Sequence, residues 1–241
     1  MKRLLLLAIA FLLVMLASCG EADTGTGGES GLGDIVVNAP EEDGGDHPAT
    51  DPADVPQEVT IENFTYTLWP EGTELWESQY FVLGTAIDIL FMLKNKDWGA
   101  LGAMVHPEQG LLFSPYGYIE EGAVVLGAGD VKALGADTEI RDWGVFAGKG
   151  DPIELTFDEY YNRFIFSCDF TRDPQVAVDQ TIQTTLLENL YVLGNGATYV
   201  EFHQQGTEEF AYIDWASLRL VFGFYEGEIM LVGIVHDEWT P

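Results

Sequence analysis

The stretch Ser217 to Trp239 sets the tightest limit on what this chain can become. It holds two apolar runs, Leu218 to Tyr225 and Glu228 to His236, joined at Glu226-Gly227. Such runs read as strands, and Gly227 supplies the positive φ of a tight hairpin turn. A two-residue turn sets Phe224 opposite Ile229, Phe222 opposite Leu231, Leu220 opposite Gly233 and Leu218 opposite Val235. If Gly227 is instead a bulge, the register slips by one, and Met230, Val232 and Ile234 take those places. Either register buries a face. The hairpin is therefore expected at the centre of a sheet that something must cover.

The preceding segments supply the cover. Val59 to Leu68 alternates and reads as a short strand or lead-in. Thr73 is placed as a helix N-cap, with Glu74 and Glu77 in the positive first turn. The helix runs to about Leu93 and sets Val82, Leu83, Ala86, Ile89, Leu90 and Leu93 on one face. Asp97 opens a second, short helix that Pro107 ends. Leu111 to Phe113, Ala123 to Leu126 and Ile140 to Phe146 read as strands, and Ala147 to Pro152 as a Gly-rich loop. Thr156-Phe157-Asp158-Glu159 is a capping box for a helix to about Phe166. Val176 to Leu187 reads as a strand with irregular ends. Ala197 to Gln204 alternates, with Tyr199, Glu201 and His203 on one face. This order predicts an α+β fold, an antiparallel sheet packed on N-terminal helices.

The N-terminal part has a different character. Met1-Lys2-Arg3 is a basic start, and Leu4 to Leu16 is an apolar run too short for a comfortable membrane span. Leu16-Ala17-Ser18-Cys19 follows. This resembles the lipobox of bacterial lipoproteins, which implies a signal peptide over 1–18 and lipidation at Cys19. Acyl chains contribute about 0.8 kcal/mol per buried methylene, so several make a durable anchor. The expected location is extracytoplasmic, lipid-anchored to a bacterial membrane. Residues 19–58 are rich in Gly, Asp, Glu, Pro and Thr and carry neither Lys nor Arg. Such a segment cannot bury enough apolar surface to offset its ordering entropy and reads as a disordered acidic tether. Residues 59–241 form one globular domain.

Ten Lys and Arg stand against 40 Asp and Glu, a formal net charge of −30. Such a field repels nucleic acid, so none is expected as a partner. It favours solubility and accumulates cations. The Asp43, Asp46, Asp51, Asp54 series matches no calcium loop. Gly127-Ala128-Gly129 lacks the third glycine of a dinucleotide loop, because position 132 is Lys132. With no metal-ligand spacing either, no cofactor or metal is expected. Cys168 is the only thiol left once Cys19 is acylated, and reads as a small buried hydrophobe.

The order of elements, with Asp97-Trp98 opening the second helix, is similar to the nuclear-transport-factor-2-like superfamily. The resemblance spans Thr73 to Trp239 and implies a cone formed by a sheet wrapped around helices, with ligands often held inside. The runs Val105 to Tyr118, Phe157 to Phe170, Asp214 to Phe222 and Leu231 to Trp239 are also similar to uncharacterised bacterial lipoproteins. This implies the location and the fold but no activity. The inserted Ile119 to Asp137 region departs from the superfamily's simple pattern.

Few residues could carry chemistry. His203 shares a strand face with Glu201 and Tyr199. His236 and Asp237 are adjacent on a strand and point to opposite faces, so they form no direct dyad. A pair of His236 with Asp214 is geometrically open. A His-carboxylate pair in a dry pocket can act as a base near neutral pH. The bland reading of each histidine is a core or rim residue bonded to a backbone carbonyl. The candidate pocket is His106, Tyr116, Trp143, Tyr199, His203 and His236. Three readings follow, and the oligomeric state is left open. The first is a non-enzymatic module binding a small molecule or peptide. The second is an interaction or self-association module using an exposed sheet face at Val221, Val232 and Ile234 beside Arg219. The third is an isomerase, dehydratase or hydrolase using a His-carboxylate pair.

Overall fold

The closing hairpin uses both registers that its sequence permits. The computed structural model describes residues 36–37, 58–61, 64–183, 187, 189–194 and 196–240. Strands β10 (Ala216–Tyr225) and β11 (Glu228–Glu238) meet at a two-residue turn, with Glu226 at φ 51° and Gly227 at φ 88°. Near the turn Phe224 faces Ile229 and Phe222 faces Leu231. The register then shifts, so that Val221 faces Gly233, Leu220 faces Ile234 and Leu218 faces His236. The extra residue is Val232, not Gly227. A bulge there bends the ribbon and adds twist.

The fold is α+β, with a large, curved, mostly antiparallel sheet. The other strands are β1 (Val36–Val37), β2 (Glu58–Ile61), β3 (Phe64–Leu68), β4 (Leu111–Ser114), β5 (Val124–Leu126), β6 (Arg141–Val145), β7 (Pro152–Leu155), β8 (Gln175–Val178) and β9 (Thr198–Gln204). Of the eleven described strands, nine run in the order β1-β2-β3-β8-β9-β10-β11-β4-β5, while β6 and β7 pair separately. Two pairings, β11 with β4 and β3 with β8, are parallel. The sequence pattern predicts none of that, because parallel partners are distant in the chain. Strand β8 is also shorter than the Val176 to Leu187 run suggests, and β7 lies where a loop is expected to end.

Helices cover one side of the sheet. They are α1 (Glu77–Lys94), α2 (Trp98–Met104), α3 (Ala128–Ala133) and α4 (Phe157–Tyr160), the last running on through a π turn at Tyr161–Ile165. Helix α1 starts at Trp76 rather than Thr73. Thr73 spends its hydroxyl on Pro70 O, and Gln79 Oε1 accepts from Trp76 N instead. Asp97 caps α2 by accepting from Ala100 N at 3.0 Å. Gly102 lets α2 and α3 touch, since a Cβ there would sit 2.8 Å from Ala128 O. The expected capping box forms at α4, where Thr156 N donates to Glu159 Oε2 and Thr156 Oγ1 accepts from Glu159 N. Thr156→Ala is expected to cost about 1 kcal/mol, read as a lower urea midpoint with an unchanged slope.

The helix side is filled. Val200, Phe202, Leu218, Leu220, Phe222 and Ile234 share one buried cluster with Phe113, Phe157, Phe164 and the buried face of α1. The other side is covered too. Leu187, Leu190, Val192 and Leu193 lie across Leu112, Val221, Val232 and Val235, with Ile119 beside them. The expected exposed face is therefore absent. Val221, Val232, Ile234 and Arg219 are all buried, and Ile234 belongs to the helix side rather than to the face of Val221. No helix among the described residues is long and apolar enough to cross a membrane. The expected signal peptide, Cys19 and nearly all of the expected tether lie outside the described residues.

Candidate functional site

Three neighbouring strands place a chain of polar side chains on the face away from the helices. The register sets His203 of β9 opposite Ser217 of β10, and Ser217 opposite Asp237 of β11. Two residues along, Glu201 faces Arg219. Ser217 Oγ donates to Glu201 Oε1 at 2.6 Å, since a carboxylate only accepts. Its oxygen then accepts from His203 Nδ1 at 2.9 Å. That assigns the proton of the neutral ring to Nδ1, and leaves Nε2 to accept from Gln183 Nε2 at 3.4 Å. Arg219 Nε donates to Glu201 Oε2 at 2.9 Å, and its guanidinium reaches Asp237 Oδ2 at 2.9 Å. Every bond in the chain points the same way, from Gln183 through His203 and Ser217 to Glu201, with Arg219 tying Glu201 to Asp237.

Burial governs the charges. Arg219 and Glu201 are each 0 % exposed and Asp237 is 2 % exposed. Burial pushes His203 down to about 4 against the pull of Glu201, so the ring is neutral at pH 7. Burial pushes Asp237 up to about 6, and Arg219 only partly offsets it. Ser217 is not an activated nucleophile. It is fully buried, its proton is committed to Glu201, and His203 donates to it rather than accepting from it.

Asp237 also forms part of the wall of a cavity of about 530 Å³ at the end of β11. The segment after β4 contributes Tyr116, Tyr118 and Glu120, β6 contributes Trp143, and the start of β10 contributes Trp215. Gln183, Glu238 and Trp239 also line it. Trp143 presents only part of its surface, because it stacks on Tyr160 at 4.0 Å and donates to Leu155 O. Trp239 is 46 % exposed and stands at the rim. Among the described residues, no lysine, arginine or histidine lines the cavity.

The helix side of β11 holds a second polar group. His236 lies edge-on to Phe164 and its Nε2 is 3.4 Å from Glu238 Oε2. Arg163 grips Glu238 through two nitrogens, one at 2.9 Å. Burial works against the Glu238 charge, but the bonds from His236 and Arg163 outweigh it and hold the carboxyl down at about 2. Burial lowers His236 as well, and its Nδ1 finds no partner among the described residues.

The six residues expected to share a pocket are dispersed. Tyr116 and Trp143 line the cavity. His106 is at the other end of the sheet, where its Nδ1 accepts from the backbone of Glu108 and Gln109 and its ring meets Tyr225. Tyr199 packs in the outer cluster. His203 lines two shallower recesses, with Gln175 and Gln205 common to both. Glu201 lies behind it, fully buried. Asp214 does not meet His236. It accepts from Thr207 N and Oγ1 at 2.6 and 2.8 Å in an exposed loop. As expected from their positions, His236 and Asp237 take opposite faces. The cavity residues that pattern reading missed are Tyr118, Gln183, Trp215, Asp237 and Trp239. Their signal was weak: aromatics at strand ends usually pack.

No group of three metal-ligating side chains occurs among the described residues. Burial raises the Cys168 thiol to about 11, which leaves it protonated and unreactive at neutral pH. No protein-family model matches the chain, and no curated protein matches it.

Proposed function

We propose that this chain is an extracytoplasmic lipoprotein, anchored through Cys19 to the cell-surface or periplasmic side of a bacterial membrane. Its α+β body, a cone of the nuclear-transport-factor-2-like kind, binds a small ligand without transforming it. One observation carries the binding reading: the cavity of about 530 Å³ at the end of β11 is lined by Tyr116, Tyr118, Trp143, Trp215 and Trp239 together with the buried Asp237. That size and lining suit a small molecule. The carboxylate is tied to Arg219, and neither His203 nor His236 reaches the cavity wall. Binding therefore rests on the walls rather than on a base.

Two measurements test this. Tryptophan fluorescence and melting temperature are followed while the full-length protein is titrated with a panel of cationic, neutral and anionic metabolites. At least one compound is expected to bind, and Trp239→Ala to weaken it at least tenfold. A panel without any binder, or a binder indifferent to Trp239→Ala, sinks the reading. For the anchor, wild-type protein is expected in the membrane fraction and Cys19→Ser protein in the soluble fraction. Equal partitioning removes the lipid anchor.

A further inference from the structure

The buried charges beside the cavity do not balance. Glu201 and Asp237 are two buried carboxylates, and Arg219 is the one cation ion-paired with either of them among the described residues. The ring that could supply a further positive charge, His203, is neutral and donates to Ser217. One negative charge is therefore left in a place of low polarisability, at the wall of an open cavity. A buried charge is costly unless something pairs with it. Among the described residues the cavity wall offers no basic side chain, and Glu120 and the Arg163-bound Glu238 are further acids on it. The whole chain adds a field of −30, which concentrates cations and turns anions away.

The rest of the wall selects among cations. Trp215 and Trp239 bring indole rings to the cavity, and an indole face attracts a positive charge within about 6 Å. A metal ion would need several oxygen or nitrogen ligands, and no such cluster occurs among the described residues. A neutral sugar could stack on the indoles, but would leave the negative charge unpaired. Building on the binding reading above, we propose that the ligand is an alkylammonium ion. Its charge lies against Asp237, and its carbon groups lie against Trp215 and Trp239.

The test is isothermal titration calorimetry on full-length protein at pH 7.5 and low salt. The probes are tetramethylammonium, choline, the neutral carbon isostere of choline (3,3-dimethylbutan-1-ol), glucose and benzoate. Choline or tetramethylammonium is expected to bind at least tenfold more tightly than the neutral isostere. Asp237→Asn is expected to weaken that binding at least tenfold without lowering the melting temperature, because Arg219 keeps its bond to Glu201. Trp239→Ala, which removes no charge, is expected to weaken it as well. The inference is overturned if the isostere matches choline, if Asp237→Asn binds choline as wild type does, or if neither ammonium ion binds. If glucose or benzoate binds instead and Trp239→Ala abolishes it, the cation inference falls while the binding function stands.

Discussion

Arg219→Met is expected to destabilise the protein by about 3–5 kcal/mol, the usual cost of removing one member of a buried ionic group. The guanidinium is fully buried between Glu201 and Asp237. Methionine fills a similar length of space but leaves two buried carboxylates, Glu201 and Asp237, without a cation. Proton uptake at the bared site then offsets part of the cost, so the penalty should shrink as the pH falls. Neutralising the partners should reverse most of the loss. The triple variant Glu201→Gln, Arg219→Met, Asp237→Asn is expected to recover at least half of it, because the amides keep the shape without the charges. Urea unfolding at pH 7.5 gives the comparison. A loss under about 1 kcal/mol for Arg219→Met would mean that the cluster is wet rather than buried.

The central hairpin was legible because its evidence is local. A period-two pattern and Glu226-Gly227 suffice to place β10 and β11, and both of those turn residues do take positive φ. The bulge at Val232 was not legible, since each competing register buries an apolar face and the choice depends on what lies across the sheet. The capping box at Thr156 and the Asp97 cap were readable for the same local reason.

The cover over the outer face was not readable. Leu187, Leu190 and Leu193 belong to a stretch of uncertain period, and nothing local says that it folds back over Val221 and Val235. Without that cover Arg219 and Glu201 read as solvent-facing charges, when both are fully buried. The cavity was half seen for a related reason. Tyr116 and Trp143 stand near turns and invite attention. Trp215, Asp237 and Tyr118 come together only through the parallel pairing of β11 with β4, which sets Val235 beside Ser114. Such a contact joins residues more than a hundred positions apart and leaves no mark in any sequence window.

The second large effect is a pH response that wild-type protein conceals. His203 lies at about 4 in the fold against 6.5 when unfolded. Between those values the unfolded ring binds a proton and the folded ring does not, so acidification costs stability, up to about 3 kcal/mol across that window. Asp237 runs the other way. Its pKa is about 6 in the fold against 3.8 unfolded, so the folded state takes the proton first. Acidification from about pH 6 to 4 therefore relieves a burial cost of similar size. The two responses share a window and oppose each other. Glu238, at about 2 against 4.5, adds stability that is lost only as the pH falls below about 4.5, and His236 acts in the same sense as His203. Both are present in every variant and drop out of a comparison with wild type. Asp237→Asn should therefore expose the His203 response, losing about 2–3 kcal/mol more than wild type between pH 7 and pH 4.5. His203→Asn, whose amide can still donate to Ser217, should lose less than wild type over the same range. Urea midpoints at half-unit pH steps separate the two. If both variants follow the wild-type curve in parallel, neither group titrates as its burial requires, and the hydrogen-bonded chain from Gln183 to Asp237 is not dry.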